Sequence, residues 1–189
     1  MSPVEWIAAA LGLANVWLVV KRSVWNFPAA LLMCALYLWV FFEAKLYSDA
    51  LLQLFFIAIN IYGWTAWLAN RAETGEVVVE TMGTAARWSV VAITALVALL
   101  WGSLMGSLTD ASHPFWDGTI AMASIASQIL LARRKLENWV GWIFVNLISV
   151  PLYFIKELYP TTALYVVLLG LAVVGLLEWR AKLRQTPSS

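Results

Sequence analysis

Residues 47–69 read YSDALLQLFFIAINIYGWTAWLA, and from Ala50 onward the stretch carries no charged side chain. A helix needs about 20 mainly apolar residues to cross a hydrocarbon core of about 30 Å. In lipid the backbone can be satisfied only by a closed helix or a closed barrel, because unpaired amides there cost several kcal/mol each. The apolar/polar alternation of a barrel strand is missing here, so the segment predicts a transmembrane helix.

Working outward, comparable runs lie near 4–20, 25–42, 87–106, 115–132, 138–156 and 160–179. With 62% hydrophobic and 12% charged residues, the chain is too apolar to hide its side chains in a soluble fold of 189 residues. The expected architecture is an all-α membrane protein with seven transmembrane helices. The first run resembles a signal peptide only superficially. Glu5 stands where a positive region belongs, and the run leads into Lys21 and Arg22 without a small-residue cleavage site, which predicts a retained helix.

Seven spans divide the positive charges unequally. Lys21, Arg22, Arg71, Arg87, Arg133, Arg134, Lys135, Arg180, Lys182 and Arg184 fall at one end, against Lys45 and Lys156 at the other. Cytoplasmic loops carry the Lys/Arg excess, so the N-terminus is expected outside and the C-terminus in the cytoplasm. A net charge of +1 with no clustered basic face excludes nucleic acid as a partner.

Shifting the chain by 112 residues lays KLYSDALLQLFFIAINIYGWTAW (45–67) over ELYPTTALYVVLLGLAVVGLLEW (157–179). Leu46 and Tyr47 meet Leu158 and Tyr159, Gly63 meets Gly175, and Trp67 meets Trp179. Upstream, Ala14 meets Ala126, Leu18 meets Leu130, and Lys21 with Arg22 meets Arg133 with Arg134. A two-residue insertion beside Trp139 would then match it to Trp25. The expected organisation is one transporter domain: repeat one near 4–69, a connecting helix near 87–106, and repeat two near 115–179. An odd connector makes the repeats parallel, a 3+1+3 arrangement with a substrate site between the halves. Aligned this way, Gln53 meets Tyr165, Asn60 meets Ala172 and Asn146 meets Leu32, so the polar positions are not duplicated.

The polar residues within the spans are few. At about 100° per residue, Gln53, Asn60, Trp64 and Trp67 share one face of the third span within about 60°. Trp139, Trp142 and Asn146 share a face of the sixth, which Tyr153 continues. Asn60 and Asn146 fall near mid-depth. Amides donate and accept to hydroxyls and indoles stack on flat rings, which suits a small polar ligand with a ring. Tyr37, Asp117, Gln128 and Tyr153 are candidates to line its path. Structural alternatives stay open: amides can be interhelical glue, Trp67 and Trp139 can be interfacial belt residues, and Gly63 can serve close packing. Asn15 and Ser127 read as helix glue, and Pro151 as either a static kink or a gating bend.

No Asp, Glu, Lys or Arg lies in the central third of any span, which argues against a proton or ion path. One histidine (His113) and one cysteine (Cys34) make a metal centre or a catalytic constellation implausible, so neither cofactor, metal nor catalytic residue is expected.

QLFFIAINIYGWTAW (53–67) and PFWDGTIAMASIASQILLARRKLENWVGWIFVNLISV (114–150) closely resemble the Pnu family of bacterial vitamin transporters. The motifs that carry the resemblance are Q-x6-N-x2-G-W in the third span and W-x2-W-x3-N in the sixth. It implies a SWEET-like 3+1+3 fold in the bacterial inner membrane and facilitated diffusion of a vitamin precursor, nicotinamide riboside above all. Thiamine and riboflavin are the alternatives. It also implies that Gln53, Asn60, Trp64, Trp139, Trp142 and Asn146 bind substrate, with Trp67 beside them. A cytoplasmic kinase would trap the product, and the assembly would be a homotrimer. From another class, a membrane scaffold without transport activity remains the rival reading.

Overall fold

The computed structural model describes residues 3–43, 47–108 and 113–185. Among these are seven α-helices and no strand: α1 (Pro3–Val20), α2 (Asn26–Glu43), α3 (Tyr47–Thr74), α4 (Thr84–Leu108), α5 (Pro114–Ala132), α6 (Asn138–Ile155) and α7 (Tyr159–Gln185). Six of them, α2 to α7, are long and apolar enough to cross a membrane, and α1 adds the apolar stretch Trp6–Val20. The outer surface is studded with exposed Leu, Val, Phe and Trp side chains, among them Leu51, Leu99, Trp88 and Leu177. That exterior fits lipid, where apolar surface needs no cover. The predicted spans coincide with the helices except that α3 and α7 run on into polar residues at their ends.

Neighbouring helices form a ring in the order α1, α2, α3, α5, α6, α7 and back to α1, while α4 touches only α5. That last contact is made by small residues: Gly118 lies against the Gly102 backbone and the Ala98 carbonyl, the close approach that glycine permits between membrane helices.

The ends of α1 and α5 are built alike. Arg22 (φ 55°) and Arg134 (φ 57°) both adopt the left-handed conformation that ends a helix. Ser23 N–H donates to Leu18 O and Lys135 N–H to Leu130 O, each at 2.9 Å, closing the same motif. α2 then opens at Asn26 and α6 at Asn138, where each side-chain amide donates three residues back, to Ser23 O and Lys135 O. These starts are 112 residues apart, so the two-residue insertion expected beside Trp139 does not exist. Trp139 corresponds to Phe27 rather than Trp25, and Asn146 to Cys34 rather than Leu32. The physical reason is burial: Trp25 is 68% and Leu32 53% exposed, whereas Phe27 and Cys34 are buried.

The end of the bundle carrying most of the Lys and Arg, here the basic end, is filled by a core of Phe27, Trp67, Trp139, Trp179, Val77 and Val79. Phe27 meets Trp67 edge-on (5.1 Å, 89°) and Trp139 meets Trp179 likewise (5.5 Å, 89°). Each such pair contributes about 0.5–1.5 kcal/mol beyond its buried area. Two indoles bond to the neighbouring helix, α3 to α5 and α7 to α1: Trp67 Nε1 donates to Leu131 O (3.2 Å) and Trp179 Nε1 to Val19 O (3.1 Å).

The α3–α4 connection straps this end. Arg22 donates to Val77 O and pairs with Glu76, while Arg134 donates to Val78 O and pairs with Glu80. Arg87 and Glu137 add a further pair at 2.8 Å. Lys156 and Asp117 pair at the opposite end; Lys45, the other cation expected there, lies outside the described residues. Lys135, hydrogen-bonded to Glu80, holds that carboxyl below its usual value; burial opposes the shift and Arg134 adds to it. A depressed carboxylate stabilises the fold above its unfolded pKa and loses that contribution as pH falls through its folded one. Glu80→Gln should therefore flatten the dependence of Tm on pH between about pH 6 and about pH 3, measured by thermal unfolding in detergent. An unchanged slope would show that the strap does not feel this charge.

Candidate functional site

A cavity of about 720 Å³ opens inside the ring. All six ring helices line it and α4 does not. Along α6 its wall is Trp139, Trp142, Val145, Asn146 and Tyr153, from the basic end to the other. Trp139 is its floor above the aromatic core, and Phe41 and Leu158 mark where it reaches the opposite end. No lining residue carries a charge.

Helical spacing explains how α6 presents four residues to the wall: positions 139, 142, 146 and 153 fall on one stripe. Asn146 is 4% exposed, and its Nδ2 donates to Trp142 O one turn back (2.8 Å). That leaves Oδ1 as an acceptor for the cavity. From α3, Gln53 lines the upper wall. Asn60, 3% exposed, gives its Nδ2 to Phe56 O (2.8 Å) and accepts at Oδ1 from Gln128 Nε2 (3.0 Å). Asn15, read from sequence as helix glue, does bond across helices, to Asn26 O at 2.7 Å, and also lines the cavity. The indole N–H of Trp139 is buried and has no acceptor among the described residues. Buried polar groups are nearly always paired; this donor is an exception, closed off from the cavity that its ring lines.

Eight of the candidate residues thus meet around one space: Gln53, Asn60, Trp139, Trp142, Asn146, Tyr37, Gln128 and Tyr153. Three do not. Trp64 packs against the core, Trp67 is fully buried there, and Asp117 is exposed beside Lys156. For Trp64 and Trp67 the face is right but the depth is wrong. They lie one and two turns beyond Asn60, below the cavity floor.

The wall also contains residues not singled out, notably Met33, Phe41, Phe56 and Tyr165. Tyr165 lies 4.9 Å from Tyr153 between ring centroids, and Tyr37 stacks on Phe41 (5.7 Å, 16°). The alignment of Gln53 with Tyr165 was the signal that could have found the latter.

Chemically, the site is an uncharged slot with amides on one side, indole and phenol rings on others, and a volume in the range of small-molecule pockets. It can hold a ring and a few hydroxyls; its thiol, Cys34, has no His, Asp or Glu beside it in the lining, and no metal-ligand cluster occurs among the described residues.

Residues 2–181 match the family described as nicotinamide mononucleotide transporters. The nicotinamide riboside transporter PnuC of Escherichia coli is 29% identical over 213 residues, covering 100% of this chain and 89% of the relative. The riboflavin/roseoflavin transporter RibM of Streptomyces davaonensis is 28% identical, covering 96% and 86%. The crystal structure of the vitamin B3 transporter PnuC superposes with a TM-score of 0.79 at 25% identity, covering 97% of this chain and 83% of that one. With nearly the whole chain matched in sequence and in fold, this multi-pass membrane protein belongs to the nicotinamide mononucleotide transporter family, the Pnu vitamin transporters, and not to any class of enzyme.

Proposed function

We propose that this chain is a facilitator that equilibrates nicotinamide riboside across the bacterial inner membrane. The observation that carries the reading is the uncharged cavity walled by amides and indoles. Hydroxyls of the ribosyl group would meet the Gln53 amide, Asn60 and Asn146, and the pyridine ring would lie against Trp142 above Trp139.

Movement would come from two like-oriented triplets, α1–α3 and α5–α7, in a 3+1+3, SWEET-like plan with α4 as connector. Supporting this plan, exchanging the triplets carries every contact of the ring onto another: α1 with α7 onto α5 with α3, and α2 with α3 onto α6 with α7. The crossed bonds from Trp67 to Leu131 and from Trp179 to Val19 obey the same exchange. If the basic end is cytoplasmic, as its Lys/Arg excess suggests, the N-terminus is outside and the present state is closed to the cytoplasm. Inward opening would then separate the aromatic core and break the two crossed bonds.

The wall carries no Asp, Glu, Lys, Arg or His, the groups that usually mark a proton or ion path, which supports an uncoupled carrier. Net uptake then depends on consumption of the vitamin inside, for which phosphorylation by a kinase is the simplest route. Sealed proteoliposomes with imposed proton or sodium gradients should equilibrate radiolabelled nicotinamide riboside and go no further. Accumulation above equilibrium that an ionophore abolishes would overturn the uncoupled mechanism. A flavin is the second reading, favoured by the similarity to RibM and by a volume that leaves room around a nicotinamide nucleoside. Comparing nicotinamide riboside, riboflavin and thiamine by calorimetry on the purified protein decides between them.

A further inference from the structure

The two seams of the ring differ in chemistry. Where α3 meets α5, Gln128 Nε2 donates to Asn60 Oδ1 at 3.0 Å, the one side-chain to side-chain hydrogen bond between these helices in the cavity wall among the described residues. Where α1 meets α7, the residues 112 positions away are Val16 and Ala172, which line the same cavity and can form no such bond.

We propose that Gln128 is the positioning residue for Asn60 and is itself an acceptor for the vitamin, so that the α3–α5 seam reads hydrogen-bond donors on the ligand. The terminal torsion of an asparagine is broad and roughly two-fold, so the amide of Asn60 needs an external reference. It has two. Phe56 O takes one N–H, and Gln128 takes the oxygen. With the oxygen held, Asn60 presents its second N–H. Gln128 in turn has spent a donor and keeps Oε1, which has no partner among the described residues. Gln128 is only 8% exposed, so this acceptor sits where water offers little compensation and a ligand O–H or N–H gains most. The seam therefore shows a donor from Asn60 and an acceptor from Gln128, side by side. A ribose hydroxyl, which is both, or a carboxamide matches that pair; a purely apolar ring edge does not.

The assignment rests on the proposed transport of a ring-bearing vitamin, and its test keeps the two apart. Full-length protein in detergent is titrated with nicotinamide riboside, riboflavin and thiamine. The vitamin that the wild type binds is then used in a cycle of Asn60→Leu, Gln128→Met and the double variant. Methionine preserves the length of glutamine and the packing; Gln128→Ala serves if it does not yield folded protein by thermal unfolding. Gln128→Met should weaken binding about tenfold, and the double variant should bind within about threefold of Asn60→Leu alone, because Asn60→Leu also removes the partner that holds the Gln128 amide, so that both contacts are lost together. Losses that multiply, or unchanged affinity in Gln128→Met, would overturn the Gln128 assignment alone. Failure of the wild type to bind any of the three vitamins would overturn the transport reading and this inference with it.

Discussion

Gly175→Ala should lower both the thermal stability and the vitamin affinity of the purified protein, while Gly170→Ala in the same helix should change neither. A Cβ on Gly175 would lie 2.5 Å from Cη2 and Cζ2 of Trp139, whereas one on Gly170 would meet nothing within 4 Å. Carbon atoms do not approach to 2.5 Å, so either the indole or α7 has to move. The indole has little freedom: it is 1% exposed and set edge-on against Trp179. Overpacking of this kind costs about 1–3 kcal/mol. Because Trp139 is also the cavity floor, a displaced ring should weaken binding, by about tenfold for every 1.4 kcal/mol of lost contact. Gly63→Ala supplies the contrast. Its Cβ would stand 2.7 Å from Phe27 Cε1, but Phe27 does not line the cavity. It should therefore reduce Tm comparably and affinity much less. The measurements are thermal unfolding in detergent and calorimetric titration with nicotinamide riboside. A silent Gly175→Ala would mean that α6 and α7 part easily and that the aromatic end is no rigid closure.

These glycines also show what could be read without coordinates. Helix extents were legible because lipid imposes one requirement, length without charge, that hydropathy measures directly. Gly63 and Gly175, aligned in the sequence, have like surroundings in the structure: each makes room for an aromatic residue at the start of a neighbouring helix, Phe27 of α2 and Trp139 of α6. The register beside Trp139 was misread because two tryptophans look like a match. Burial distinguishes them, and burial of one tryptophan among lipid-facing neighbours leaves no mark on composition. The face shared by Asn60, Trp64 and Trp67 was computed correctly from the helical angle. What the angle does not contain is depth: each turn adds about 5.4 Å along the axis, enough to carry Trp67 out of the cavity and into the core. Gln128 was legible only as a polar residue in a span, since its partner is 68 residues away on another helix.

Trp142→Ala and Asn146→Leu should each reduce vitamin affinity by one to two orders of magnitude while leaving a folded protein in the membrane. Trp142 is partly exposed to the cavity, so truncation removes the ring face against which a pyridine or flavin would stack without opening the buried core beneath it. Loss of such a face, with its buried area, amounts to about 2–3 kcal/mol. At Asn146 the effect is polar. Its Nδ2 is held by Trp142 O, which leaves Oδ1 to accept from a ligand, and leucine would leave that ligand donor unpaired in a mostly apolar wall, at about 1–3 kcal/mol. The residues share one turn and one hydrogen bond, so the double variant should fall short of the product of the two losses. The fold provides an internal control. Asn138, one turn before Trp142 on the same helix, is equally an asparagine and fully buried, but it holds the α5–α6 turn through Lys135 O and does not line the cavity. Asn138→Leu should therefore lower Tm and spare the affinity of whatever protein remains folded, the reverse of Asn146→Leu. If both asparagines lowered Tm and neither changed affinity, Asn146 would be interhelical glue, and the binding face would have to be sought on α3 and α7.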